Sequence, residues 1–250
     1  MSEDVNVWRE THRILSFQGD ASGRLGVPAL LGFMEEAAGN SARSLRFSVE
    51  DLIGEGITWV LARLRLRFAD WPAWRDELTV ETWPSGTDGL RAFREYRLLR
   101  PDGRPVGAGT SVWLVLDLAS RRPVRAPRRM LEIAPPDRPR ELDGAADPLP
   151  RPSRPAAAGT FRVRWSDLDL NRHANHTRYV EWALEAVPPD LRERGRLAGL
   201  GIDFLAEARL GDEVAAEAEA VDGGLTFLHR ILRPADGREL AVLRSAWTEK

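Results

Sequence analysis

Residues 60–68 read VLARLRLRF, and apolar and basic positions alternate along them: Leu64, Leu66 and Phe68 on one parity, Arg63, Arg65 and Arg67 on the other. A period of two is that of a strand with one face buried and one in water. A different period governs VPALLGFMEEAAGNSARSL, residues 27–45, where Leu30, Met34, Ala37 and Ala38 recur at helical spacing. Pro28 stands near its start, where a missing N–H costs nothing. HRILSF, residues 12–17, predicts a strand ahead of this helix. In the later part of the chain GTFRVRW, residues 159–165, predicts a strand. A helix is expected over about 176–187, ended by Pro188-Pro189, and four strands close the chain. Asp-Gly at 102–103 and at 236–237 predicts hairpin turns.

The two parts are copies of one plan. DGLRAFREYRLLRPDGRPVGAGTSVW (88–113) and GGLTFLHRILRPADGRELAVLRSAW (223–247) share a Gly-Leu start, an Arg-Pro…Asp-Gly turn between two strand-like runs, and a closing Ser-x-Trp. Ser111 and Trp113 precede Ser245 and Trp247 by 134 residues. Upstream, RDELTVETW (75–83) lines up with GDEVAAEAEAV (211–221). Ordered matches over several elements point to internal duplication. A long helix against an antiparallel sheet, made twice, is an α+β architecture; a helix wrapped by such a sheet suggests a hot dog fold, here in tandem. Residues 1–120 form the expected first half and 159–250 the second. Between them, 121–158 is rich in proline and arginine: nine of the 17 prolines fall between Arg121 and Gly159. That composition predicts a surface linker, tacked down by the apolar piece Met130 to Ile133.

Composition narrows the function. The chain's 250 residues are 43% hydrophobic and 30% charged, enough to bury a core. The absence of cysteine excludes disulfides, zinc–thiolate sites and a cysteine nucleophile. A net charge of -2 does not suggest a nucleic-acid partner. MSEDVNVWRE carries no signal pattern, and no apolar run approaches the ~18 residues of a membrane span. A cytoplasmic location is the expectation.

The chemistry concentrates in SDLDLNRHANHTRY, residues 166–179, which holds two of the four histidines. A calcium loop would need Gly and Glu where Arg172 and Arg178 stand. Zinc at His173 and His176 lacks an evident third ligand, and Asn175-His176-Thr177 is a sequon only formally. Capping explains part of the stretch: Asn175 is placed to cap the helix and Asp167 to hold the turn. Asp169, Asn171 and His173 alternate, and in an extended segment they would share one side. A carboxylate, an amide and an imidazole then converge before a helix N-terminus, which favours developing negative charge. Such a set suits acyl transfer to water: an imidazole of ordinary pKa ~6.5 moves protons near neutrality. A thioester fits best, because its leaving thiolate (~8.5 by analogy with cysteine) needs little acid help.

This stretch, extended to SDLDLNRHANHTRYVEWALEAVP, resembles the signature of the acyl-acyl carrier protein thioesterases, plant plastid and bacterial. The family pattern runs Asp-Leu-Asp-x-Asn-x-His-x-Asn-Asn-x-x-Tyr. The resemblance continues through ITWVLARLRLRFADWPAWRDELTVETWP, GLRAFREYRLL and SVWLVLDLASRRPVRAP and covers most of residues 10–248. It implies a double hot dog fold, catalysis in the second half and an acyl-chain pocket shaped by the first. Carried over by position, Asp169, Asn171 and His173 are catalytic, and a glutamate on the strand after the helix falls on Glu207, in IDFLAEA. Phe33, Met34 and Ala37 are the expected acyl-chain contacts. Two positions depart from the family: His176 replaces the second asparagine, and Ala208 a cysteine. A plant transit peptide is absent, which fits a bacterial enzyme.

The resemblance implies hydrolysis of fatty acyl-acyl carrier protein without metal or cofactor. It implies the acidic carrier protein as partner, which the seven arginines between Arg121 and Arg140 suit by charge unless they are only a solvated linker. It implies no nucleic acid and no membrane, and allows a homodimer. His173 is then the general base or acid, Asn171 and the helix N-terminus oxyanion donors, and Asp169 an orienting group or a nucleophile. An acyl-CoA thioesterase and a non-catalytic acyl-binding protein of the same fold remain the alternatives.

Overall fold

The structure, a computed structural model, describes residues 6–249, the side chains of residues 157 and 158 excepted. The chain forms two compact units, the first ending at Ala146 and the second beginning at Asp147. The first contains β1 (Trp8–Arg13), α1 (Val27–Ser44), α2 (Val49–Ile53), β2 (Ile57–Phe68), β3 (Glu77–Thr87), β4 (Arg91–Leu99), β5 (Pro105–Asp117), β6 (Pro123–Val124) and α3 (Arg128–Leu131). Its strands run in the order β1-β3-β4-β5-β2, all antiparallel, with the short β6 also on β5. The second contains β7 (Ala156–Arg162), α4 (His176–Leu184), α5 (Pro189–Arg194), β8 (Arg196–Phe204), β9 (Glu213–Val221), β10 (Thr226–Arg233) and β11 (Arg238–Thr248). Its order is β7-β9-β10-β11-β8, again antiparallel. Strand for strand, the two orders are the same, so each unit is one copy of the α+β hot dog plan.

The helices sit where their apolar spacing requires. α1 packs on β1 and β3 and buries Leu30, Leu31, Met34, Ala37, Ala38 and Ser41. α4 packs on β9, β10 and β11 through Tyr179, Val180, Trp182 and Ala183. It ends short of Pro188-Pro189, and Pro189 opens α5 instead. In β2, Leu64, Leu66 and Phe68 are buried as the alternation predicts.

The paired Ser-x-Trp ends fall on β5 and β11 and make the same bond: Trp113 Nε1–H donates to Ser111 Oγ at 2.7 Å and Trp247 Nε1–H to Ser245 Oγ at 3.1 Å. Each serine meets a buried ring from the adjacent strand, Tyr96 in one unit and His229 in the other.

Two expectations shift. The first strand of each unit ends earlier than predicted, at Arg13 and Arg162, and each chain then enters a 3-10 turn, Ser16–Gln18 or Trp165–Asp167. Ile14 goes into the core while Leu15 and Phe17 face out, so the apolar run HRILSF is not one strand face. The Pro/Arg-rich segment, in turn, packs on the units it joins. Met130 enters a cluster with Phe47, Leu52, Val115 and Ala126, with Ile133 against it. Arg138 pairs with Glu81 at 3.1 Å, Arg97 with Glu141 at 2.5 Å, and Arg140 lies over the Phe93 ring. Arg138 and Arg140 are thereby engaged within the first unit. Past Asp147, the Leu149 amide donates to Asp203 at 2.9 Å.

Burial of His229 generates a pH dependence. Its Nε2 meets Ser245 Oγ at 2.9 Å, its Nδ1 is buried with no hydrogen-bond partner among the described residues, and burial pushes its pKa down to about 4. In the unfolded chain the same ring titrates near ~6.5. Between those values the unfolded state takes up the proton and the folded state does not. Stability is therefore fully present above ~6.5 and is lost as the pH falls towards 4. Urea midpoints at about pH 7 and about pH 5 should differ more in the native chain than in His229→Gln. An identical pH difference in both would contradict this assignment.

Candidate active site

The stretch before α4 is a closed turn. Asp169 Oδ1 accepts the amides of Asn171 at 2.8 Å and His173 at 3.2 Å. The Asp169 amide donates to His173 O at 2.8 Å, and the Arg172 amide returns to Asp169 O at 3.0 Å. Arg172 takes the left-handed conformation, φ 63°, to complete it. The expected extended segment, with Asp169, Asn171 and His173 on one side, is thus not what forms. The carboxylate turns inward onto the backbone of its own loop, Asn171 lies exposed, and only His173 projects from the returning limb.

The flanking residues hold this turn. Asp167, 2% exposed, accepts the Arg164 amide at 2.8 Å and its guanidinium at 3.1 and 3.0 Å. Burial by itself would raise its pKa. The Arg164 hydrogen bonds and the charges of Arg164 and Arg178 outweigh that and hold it below the usual carboxylate range. Its carbonyl takes the Asn175 amide at 2.8 Å. Asn175 then caps α4, its Oδ1 accepting the Thr177 amide at 2.9 Å and hydroxyl at 2.7 Å. Both capping expectations hold.

The returning limb brings His173 to Glu207. The Ala174 amide donates to Ala208 O at 2.9 Å, and an antiparallel bridge joins His173 to Arg209. Across this pairing His173 Nε2 lies 3.1 Å from Glu207 Oε2, with Arg209 Nη2 3.7 Å from the same oxygen. Both side chains keep solvent access, 21% for His173 and 40% for Glu207. Glu207 is placed on the connection between β8 and β9, past the strand end at Phe204, rather than on a strand. The other histidine of the stretch differs. The His176 ring sits edge-on to Phe204, and burial, opposed by the charge of Asp169, pushes its pKa down to about 4. It is a neutral ring at physiological pH. Of the expected acyl contacts, Met34 and Ala37 lie on the buried face of α1, and Phe33 stacks on His12 at 4.2 Å.

The first unit contains the same turn. Asp20 Oδ1 accepts the amides of Ser22 at 2.8 Å and Arg24 at 3.2 Å, the Asp20 amide donates to Arg24 O at 2.7 Å, and Gly23 closes it at φ 77°. The Leu25 amide donates to Pro72 O at 2.8 Å, and Arg24 bridges Ala73. DASGRLG in the first unit therefore matches DLNRHAN in the second. Ser22 stands for Asn171, Arg24 for His173 and Trp71 for Glu207. The carboxylate-closed turn is common to both copies; at the positions where the second carries the His173–Glu207 pair the first carries Arg24 and Trp71. The signal was present in the sequence as an aspartate seven residues ahead of each helix.

Residues 5–134 match the Acyl-ACP thioesterase N-terminal domain and residues 152–249 the Acyl-ACP thioesterase C-terminal domain. A chloroplastic acyl-[acyl-carrier-protein] hydrolase of Cuphea viscosissima is 27% identical over 99% of this chain and 64% of its own length. A chloroplastic palmitoyl-acyl carrier protein thioesterase of Arabidopsis thaliana is 26% identical over 99% of this chain and 65% of its own. The chain thus spans just under two thirds of these relatives. Among solved structures, an acyl-ACP thioesterase from Bacteroides thetaiotaomicron superposes with a TM-score of 0.86 at 24% identity, covering 99% of this chain and 100% of that one. The 12:0-ACP thioesterase from Umbellularia californica gives 0.86 at 22% identity, covering 98% of each chain. With both domains matched in order on a duplicated hot dog fold, the chain belongs to the acyl-ACP thioesterase family.

Proposed function

We propose that this protein hydrolyses the thioester of fatty acyl-acyl carrier protein and releases the free fatty acid. The observation that carries the reading is the His173–Glu207 contact of 3.1 Å, held just ahead of the α4 N-terminus in a chain of this family.

The geometry suits general-base attack by water. With Nε2–H donated to Glu207, His173 Nδ1 carries the lone pair that takes a proton from water. The carboxylate stabilises the imidazolium so formed. The water oxygen bonds to the thioester carbon, and the oxyanion is met by the α4 N-terminus and the Asn171 amide group. The carbon–sulfur bond then breaks, and the imidazolium returns the proton to the departing thiolate. Asp169 acts on this sequence through the turn, since its Oδ1 is already shared by two amides. The acyl chain lies against α1, at Phe33, Met34 and Ala37.

Rates of fatty acid release from carrier-protein and CoA thioesters of matched chain length test the substrate class. The carrier-protein thioesters should be preferred throughout; equal or better use of CoA esters makes this an acyl-CoA thioesterase, and no release from either makes it a binding protein. Within the same series Ala37→Phe should move the preference towards shorter chains, and an unchanged profile in a folded variant would place the chain elsewhere.

Loss of acid–base help costs roughly 10²–10⁴-fold, so His173→Ala and Glu207→Gln should each lower kcat at least ~100-fold without unfolding the chain. Asn171→Ala should fall in the ~10²–10³-fold range of a lost oxyanion donor. His176→Asn, which changes a ring that stays neutral, should keep most activity. An inactive His176→Asn beside a healthy His173→Ala would show that the base is the other histidine.

A further inference from the structure

Glu207 sits on a connection outside the sheet ladder, yet its carboxylate must be held within reach of His173. The α4 side chain Tyr179, 3% exposed, supplies a hold on both sides of it. Its hydroxyl accepts the Ala208 amide at 2.8 Å and donates to Ala206 O at 3.3 Å. The two peptide groups that flank Glu207 are thus tied to one oxygen, on the helix that follows the His173 turn. Burial pushes the phenol up to about 12, so the hydroxyl stays protonated and keeps both roles across the working pH range.

The first unit shows that the fold does not require this strap. There the turn pairs with its connection in the same way, the Leu25 amide on Pro72 O matching the Ala174 amide on Ala208 O. The counterpart of Tyr179, one turn into α1, is Leu30, 1% exposed, which has no hydroxyl. The counterpart of Ala208 is Pro72, which has no N–H to donate. Donor and hydroxyl are absent together from the copy that carries Trp71, and present together in the copy that carries Glu207.

We propose that Tyr179 is a positioning residue for the reaction, holding the 206–208 backbone so that Glu207 meets His173. The proposal rests on the hydrolase reading above. Tyr179→Phe keeps the ring and removes only the hydroxyl; Tyr179→Leu, which copies the first unit, serves if the phenylalanine variant does not fold. Misplacement of a catalytic group by about 1 Å is worth up to ~10²-fold, so kcat should fall about 10- to 100-fold in Tyr179→Phe while KM stays near the native value. In a Glu207→Gln background the same change should cost little further, because the group it positions is already gone. Exchange of the Ala208 amide should speed up at least about tenfold, a readout that needs no substrate. An unchanged kcat beside normal native turnover, or the same fold-loss with and without Glu207, overturns the role of Tyr179 alone. A native chain without turnover on any acyl thioester overturns the hydrolase reading instead.

Discussion

The site depends on one side chain folding back onto its own backbone. Asp169 spends its Oδ1 on the amides of Asn171 and His173, and that closure sets where His173 leaves the loop and where α4 begins. Hydrogen bonds to a charged group are worth about 1.5–3 kcal/mol, enough to hold five residues in one geometry and Arg172 in a left-handed conformation. The buried Asp167 and the Asn175 cap fix the two ends. What results is a closed turn that presents the His173 imidazole on its returning limb.

Duplication separates mount from chemistry. Asp20 closes the same turn in the first unit, and Leu25 docks it on Pro72 as Ala174 docks on Ala208. Where the first unit carries Arg24 and Trp71, the second carries His173 and Glu207, whose side chains meet at 3.1 Å. Both positions lie on turn-associated backbone and keep solvent access. A site can diverge there without disturbing the sheet.

Much of this could be read in the sequence because periodicity and punctuation are local. The alternation of Leu64, Leu66 and Phe68, the apolar face of α1 and the paired Ser-x-Trp ends follow from side chains a few residues apart. Asp167 and Asn175 were readable as caps for the same reason. Asp169 was not, since alternation with Asn171 and His173 has the signature of an extended segment, and only the closed turn shows the carboxylate pointing inward. Glu207 has no local signal: a single glutamate in IDFLAEA becomes meaningful through its resemblance to the family, and its contact with His173 spans the chain between the turn and β9. The anchoring of the linker was legible at Met130, an apolar residue in a polar run, but not at Arg138 and Glu141, whose partners Glu81 and Arg97 are remote in sequence.

If the turn is a mount and His173–Glu207 the working pair, the charge of Asp169 is dispensable for chemistry while its acceptor oxygen is not. Turnover by Asp169→Asn measures this directly, because the asparagine side chain can accept the same two amides but cannot attack a thioester. The account predicts a kcat within about tenfold of native, far from the ~10²-fold or greater loss expected for a nucleophile or proton-transfer group. A folded Asp169→Asn chain with turnover at background would contradict it and make the carboxylate itself part of the reaction.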